Sequence, residues 1–231
     1  MLPVVPRKAP GEAGFAAKFG RSFPFGAAVL GLAALLPASG AKAQQVLRNP
    51  SDDTVCLVYY HIANQTPPFA QFAQTEPAVA SANEFDQPKA LAAAESQLTA
   101  LYNSLAGVTT LQIDLQMSMG TYSQLGEYDL DGFGGDESIN YNCFGNTFQL
   151  QLQFDNSDYA QSWVLNPSQA QDVLARNGGS RAVVASTTIV LTGVSPSAPG
   201  EPLILTGDVK KVVVVGGYNK APLGEYTVKS Q

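Results

Sequence analysis

The sequence predicts an α+β fold: an antiparallel sheet of about five to six strands packed against an N-terminal helix or helices, with one further helix inserted among the strands. Two patterns of apolar residues, one following the other along the chain, support this prediction. Apolar residues recur every three or four positions between residues 86 and 107, then alternate strictly with polar residues from Thr109. The first spacing is that of a helix with one apolar stripe, and the second is that of a half-buried strand. Helices early and strands late are typical of a layered α+β domain.

The first 43 residues have the pattern of an export signal. Arg7, Lys8, Lys18 and Arg21 precede the 12-residue apolar run "FGAAVLGLAALL", and a small-x-small site ends at Ala43. A helix needs about 20 apolar residues to span a bilayer, so this run is too short. We therefore expect cleavage after Ala43 and a periplasmic or secreted bacterial protein. An N-terminal anchor that is not cleaved is the alternative.

The charge balance narrows the range of partners. The full chain carries a formal charge of −6, and removing residues 1–43 takes away five bases and one acid, which leaves −10. A strongly acidic chain argues against binding to nucleic acid, whose phosphates favour clustered Lys and Arg, and against anionic lipid. No later run is long and apolar enough to span a membrane. We expect a flexible lead-in over residues 44–50 and one α+β domain over residues 51–231.

Two cysteines, Cys56 and Cys143, remain after the predicted cleavage site. An even number of cysteines in an oxidising compartment favours a disulfide, so we predict that these two are bonded. Two separate buried thiols are the alternative, because a free cysteine often behaves as a small core residue.

Helix signals occur at three places. Ser51, Asp52 and Asp53 can cap a helix over "TVCLVYY", although that run also suits a strand. The connector "QTPPFAQFAQTEPAVASA" that follows shows no clear period. A long helix is then predicted, with Asp86 as its cap and Gly107 ending it. The inserted helix is predicted in "NPSQAQDVLARNGG", with Asn166 as cap, Gln169 completing a capping box and Gly178 ending it.

Five runs are predicted as strands. In "TTLQIDLQM" and "TFQLQLQF", apolar residues alternate with Gln and Asp, which is typical of antiparallel strands with one wet face. "RAVVASTTIVLTGV" and "PLILTGDVKKVVVV" are two longer strands separated by the turn-rich "SPSAPGE". A last short strand is predicted in "GEYTVK". The pair of glycines at 216 and 217 is interpreted as a turn.

The run "DLDGFGGDE" is a candidate calcium loop. Calcium prefers six to eight oxygen ligands, and Asp129, Asp131, Asp136 and Glu137 could supply carboxylates around a sharp turn. However, an EF-hand needs a third Asp or Asn where this chain has Phe133, and its closing Glu falls at Asn140. The glycines also suit a wide turn in a hairpin between two strands. We interpret the run as a glycine-rich turn, with calcium as the alternative.

Other side chains could act in catalysis or ligand binding, but no known sequence motif surrounds them. His61 is the single histidine, lies beside two tyrosines, and is interpreted as structural. No nucleophile elbow, phosphate loop or dinucleotide motif is present. A carboxylate pair such as Asp114 with Glu127 could hydrolyse glycosides if the two side chains met. Trp163, with Tyr159 as neighbour, is expected to pack under the inserted helix, whereas an exposed pair would suit a sugar ring.

Three stretches carry a resemblance: "NEFDQPKA" opening a helix, "LGEYDLDGF" opening the sheet, and "SWVLNPSQA" at a strand-to-helix corner. Over most of the mature chain they resemble a family of uncharacterised secreted proteins of proteobacteria. The resemblance implies export and a single domain, and it implies no activity and no catalytic residues.

The sequence thus favours an exported envelope protein that acts as a non-catalytic binding or structural module, with a protein or glycan partner and no cofactor. Its basis is the export signal, the lack of a catalytic constellation, and strand faces rich in Gln, Thr and Ser. A secreted carboxylate-dependent hydrolase and a calcium-stabilised surface protein are the alternatives.

Overall fold

The computed structural model describes residues 45–133, 138–195 and 201–229. The fold is mixed α+β, as predicted, but the sheet is larger than expected: the described residues contain nine strands instead of five or six. The strands are β1 (Gln45–Arg48), β2 (Val108–Met119), β3 (Glu127–Asp131), β4 (Ser138–Cys143), β5 (Phe148–Phe154), β6 (Ser162–Val164), β7 (Ala182–Ser195), β8 (Leu203–Gly216) and β9 (Pro222–Thr227).

The centre of the sheet is the antiparallel pair of β7 and β8, each 14 residues long. β2 pairs with the other side of β7. The outer edge of β8 is shared, because β5 pairs with its first half and β9 with its second. The outer edge of β2 is shared in the same way by β1 and β3. β4 continues the sheet beyond β5, and β6 continues it beyond β3.

The alternation of side chains along the central strands sets which face of the sheet is buried. On β7, Val183, Ala185 and Ile189 point into the core, and the residues between them are mostly half-buried on the outer face. On β8, both Val209 and Val212 are buried because the register with β7 shifts between them. Such a bulge increases the local twist of a sheet.

Six helices occur in the described residues, and the longest, α4, follows the predicted stripe. Their bounds are α1 (Asp52–Ile62), α2 (Phe69–Thr75), α3 (Pro77–Ala80), α4 (Gln87–Ser104), α5 (Ser157–Ala160) and α6 (Pro167–Arg176). The predicted capping box of α6, Asn166 with Gln169, is present. The predicted cap of α4 is wrong in detail: Asp86 makes no capping bond, and the side-chain oxygen of Asn83 accepts from the N–H groups of Phe85 and Asp86.

Three sequence-based interpretations differ from the structure. Residues 45–48 of the expected flexible lead-in form β1, which pairs with β2. The connector without a period forms α2 and α3. The glycine-rich run does not join a hairpin, because β3 pairs with β2 and β6 whereas β4 pairs with β5. The predicted export signal and cleavage site lie outside the described residues.

The first turn of α1 is fixed to the end of β4. Cys56 and Cys143 form the predicted disulfide, with their Cα atoms 6.1 Å apart. The Asp52 carboxylate accepts a hydrogen bond from the Asn142 N–H at 2.9 Å, and the Asp53 carboxylate accepts one from the Phe144 N–H. Both acids also lie at the positive end of the α1 dipole. Three links therefore join the helical layer to the sheet at one corner.

We expect the double variant Cys56→Ala, Cys143→Ala to lose about 2–5 kcal/mol of unfolding free energy, because the disulfide closes a long loop in the unfolded chain. Urea unfolding of the variant and of the oxidised wild-type protein measures this loss. Thiol labelling of the folded wild-type protein is the control and should find no free thiol. A loss below about 0.5 kcal/mol would contradict the expectation.

Candidate functional site

A cleft of about 570 Å³ lies where the curled sheet brings β6 close to β9. Its walls come from β3, α5, β6 and the end of β9, including Glu127, Ser162, Val164 and Thr227. Ligand sites commonly have volumes of about 300–1,000 Å³, so this volume suits a small molecule or a short stretch of chain. We refer to this feature, bounded by Ser162–Val164 and by residues 226–229, as the β6–β9 cleft.

The side of β6 that faces away from β3 has unpaired backbone groups. Leu165 donates to Gly126 O, and Leu130 donates to Gln161 O. Hydrogen-bonded and non-bonded positions alternate in an antiparallel pair, so the N–H and C=O groups of Ser162 and Val164 point away from β3. Across residues 45–133, 138–195 and 201–229, these groups have no hydrogen-bond partner. β6 is therefore an open strand edge.

The outer edge of β9 is open in its middle and covered at both ends. Val228 donates to Lys210 O, so alternation turns the backbone groups of Glu225 and Thr227 away from β8. On the same edge, Arg176 donates to Leu223 O and the Asn156 amide donates to Lys229 O. Glu225 and Thr227 have no such partner among the residues that the structure describes.

Trp163 connects the two strands on the core side of the cleft. Its indole is buried and stacks on the Tyr226 ring, with centroids 6.1 Å apart. A Cβ atom placed on Gly224 would lie 2.9 Å from Cζ2 of this indole, so the ring needs a glycine there. Burial raises the pKa of the Tyr226 hydroxyl, which donates to Ala160 O. The expected burial of Trp163 is confirmed, but its stacking partner is Tyr226.

The cleft carries more negative than positive charge. Glu127, Asp129 and Asp158 line it together with one base, Lys229. Glu127 accepts a hydrogen bond from the Ser162 hydroxyl. No acid lies within ion-pair distance of Lys229 in the described part of the chain. Beside the acids, the Tyr159 and Val164 side chains are 47% and 70% exposed. The cleft therefore offers carboxylates, two apolar contacts and open strand edges.

The structure covers half of the candidate calcium ligands. Asp129 and Asp131 lie on one face of β3, and Asp136 and Glu137 lie outside the described residues. Phe133 occupies the position of the third EF-hand ligand and is fully buried against Phe154, with ring centroids 5.8 Å apart. Among residues 45–133, 138–195 and 201–229, no three His, Cys, Asp or Glu side chains could hold a metal ion together.

The carboxylate pair proposed for hydrolysis does not meet. Ser118 on β2 pairs with Asp131 on β3. Asp114 lies four positions before Ser118 on β2, and Glu127 lies four positions before Asp131 on β3. Because the strands are antiparallel, the two acids lie on opposite sides of this pair, eight positions apart. At about 3.3 Å per position, their separation is about 26 Å. Glycosidases use carboxyl groups no more than about 9.5 Å apart. Glu127 instead shares the β6–β9 cleft with Asp129 and Asp158.

His61 packs against an aromatic ring. Its imidazole stacks on Tyr102 with centroids 3.8 Å apart, and its Nε2 atom contacts Tyr102 O. No acid lies within ion-pair distance of it in the described ranges. This arrangement fits the structural role expected from the sequence.

Asp114 has a role on the outer face of the sheet. Its backbone N–H donates to the Asn49 side chain at 2.8 Å, and its carboxylate accepts from the Asn49 amide at 2.9 Å. Hydrogen bonds from Ser186 and Asn49, with the charge of Lys220, hold the pKa of the Asp114 carboxyl below its usual value. Asn49 follows β1, so this contact fixes the end of β1 against the middle of β2.

Comparison with protein families, curated proteins and solved structures finds no match to this chain. Among the described residues, no helix is both long enough and apolar enough to cross a membrane.

Gly224→Ala should lower the unfolding free energy by about 1–3 kcal/mol, because the new methyl group overpacks the Trp163 indole. Urea unfolding with Trp163 fluorescence measures both the stability and the indole environment. Gly193→Ala is the matched control, because the nearest atom to its added Cβ lies at an ordinary 3.7 Å. Equal effects of the two substitutions would show that the Gly224 contact does not matter.

Asp114→Asn should destabilise the protein at pH 7, with a difference that shrinks as the pH falls below about 4. A carboxyl with a lowered folded pKa stabilises the fold above its unfolded pKa, ordinarily 3.8, and this contribution is lost as the pH falls through the folded value. Urea titrations at pH 7 and at lower pH measure it. Asp158→Asn is the control for charge loss from an exposed site. A stability difference between wild type and Asp114→Asn that grows toward low pH would contradict the predicted pH dependence.

Proposed function

We propose that this chain is an exported envelope protein that acts as a non-catalytic binding module, with the β6–β9 cleft as its ligand site. The observation that carries the proposal is the cleft itself: two open strand edges, three carboxylates and two exposed apolar side chains surround one space. Most binding sites combine a concave surface with a few polar groups that fix the orientation of the ligand.

Export is supported by the disulfide and by the sequence. Structural disulfides persist in the periplasm and outside the cell, and the Cys56–Cys143 bond joins the helical layer to the sheet. The apolar run and small-x-small site before residue 44 agree with such a compartment. The resemblance to a family of secreted proteobacterial proteins agrees with it as well.

A carboxylate-dependent hydrolase is the second candidate, and one observation favours it: Glu127, Asp129 and Asp158 line a single cleft beside an exposed Tyr159. A retaining or inverting glycosidase uses two such acids. A binding module is preferred because open strand edges give backbone hydrogen bonds to a ligand, which hydrolysis does not require.

A cleft-filling substitution tests the proposal. Val164→Trp should abolish or weaken by at least about tenfold any ligand binding found on peptide and glycan arrays with the exported wild-type protein. The reason is that Val164 lines the cleft and is exposed, so a larger side chain blocks the space without entering the core. Val46→Trp, at another exposed valine on a short outer strand, should bind like wild type.

Three results would count against the binding module. One is array binding that Val164→Trp leaves unchanged, and another is no binding on either array. The third is turnover of a panel of chromogenic glycosides and esters that is lost in Glu127→Gln. That result would establish the hydrolase instead.

A further inference from the structure

We infer that the β6–β9 cleft accepts an extended, basic peptide segment of a partner protein, which is added to the sheet as a strand. This inference rests on the proposed binding function and names the class of ligand. A strand added to a sheet edge gains affinity from main-chain hydrogen bonds and specificity from its alternate side chains. The cleft offers both kinds of contact.

The backbone geometry favours an extended chain over a compact ligand. On one side, Ser162 and Val164 present unpaired N–H and C=O groups two residues apart, and on the other side Glu225 and Thr227 do the same. This two-residue repeat matches the period of a β-strand. Ordinary sheets also have unpaired edges, but here Ser162 and Val164 on one edge and Thr227 on the other line one cleft, so one inserted strand could bond to both.

The covered ends of the β9 edge mark the length of the inserted segment. Arg176 occupies the outward carbonyl of Leu223, and Asn156 occupies that of Lys229. Between these two positions, Glu225 and Thr227 remain without partners among the described residues. A short segment of about four to six residues therefore fits the open part of the edge, at about 3.3 Å per residue.

The charge of the cleft favours Lys or Arg in this segment. Asp129 and Asp158 are exposed in the cleft wall and Glu127 is half-exposed, whereas Lys229 is the one base among the described residues that lines the cleft. Asp129 lies directly opposite Ser162 on β6, on the outer face of the sheet. An added strand beside β6 would place its outward side chains near these acids. Opposite charges in such positions stabilise pairing, and like charges oppose it.

The test uses an eight-residue fluorescent probe, Lys-Thr-Lys-Val-Lys-Thr-Lys-Val, and the exported wild-type protein. Fluorescence anisotropy should show saturable binding of this probe and at least about tenfold weaker binding of the peptide with Glu in place of Lys. N-methylation of alternate residues should also weaken binding at least about tenfold, because it removes the edge hydrogen bonds. Amide hydrogen exchange should slow at Val164 and Thr227 when the probe binds.

Two double variants test the charge contribution. Asp129→Asn with Asp158→Asn should weaken binding of the Lys probe by about three- to tenfold, because two pairs of opposite charges between the probe and the cleft are lost. Glu84→Gln with Glu95→Gln makes the same change in net charge away from the cleft and should bind like wild type. Equal binding by both double variants, or by the N-methylated probe, would overturn the inference.

Other occupants give different results. A dimer in sedimentation velocity that Val164→Trp abolishes, together with no probe binding, would show that a second copy fills the cleft. Binding of a soluble glycan that Val164→Trp abolishes, without probe binding, would overturn the peptide and keep the binding module. No binding of any kind by a folded wild-type protein would overturn both.

Discussion

The long antiparallel pair of β7 and β8 is the part of the structure on which the other elements depend. Each strand is 14 residues long, which is more than any one neighbour can cover. Two strands therefore share the outer edge of β8, and β2, on the other side of β7, is shared by β1 and β3. The bulge at Lys210 adds twist to this pair. The curled sheet then brings β6 near β9 without pairing them in the described residues, which leaves the cleft.

The helical layer is held to this sheet mainly at one corner. The disulfide and the Asp52 and Asp53 carboxylates join α1 to the end of β4, and the aromatic rings of Phe72, Phe144 and Phe148 pack beside that corner. The β6–β9 cleft lies elsewhere, where α5 meets the sheet. The disulfide and the two aspartate hydrogen bonds therefore stabilise the fold without occupying the cleft.

The sequence predicted the long elements well and the short ones poorly, for a physical reason. β2 and β5 alternate apolar and polar residues over seven positions, because one face packs on a core. β7 and β8 are long runs rich in β-branched residues, which favour strands. β6 has three residues and β1 has four, so no period can appear, and both exist because distant strands pair with them. The capping box of α6 was predictable because it is local. The hairpin expected at the glycine-rich run was wrong because pairing partners are not encoded locally.

The candidate site was predictable from the sequence only in part, for the same physical reason. The sequence identified four side chains near the cleft as candidates by residue type: Glu127, Asp129, Tyr159 and Trp163. The proposed carboxylate pair, Asp114 with Glu127, was wrong because the register of β2 and β3 separates the two acids. Ser162 and Thr227 carry no sequence signal, since their contribution is backbone geometry. An open edge is an aggregation hazard that proteins usually limit with charge, short length or a cover. Here carboxylates flank the edges, and Arg176 and Asn156 cover the ends of β9, so only a short, acidic part of the edge stays open among the described residues.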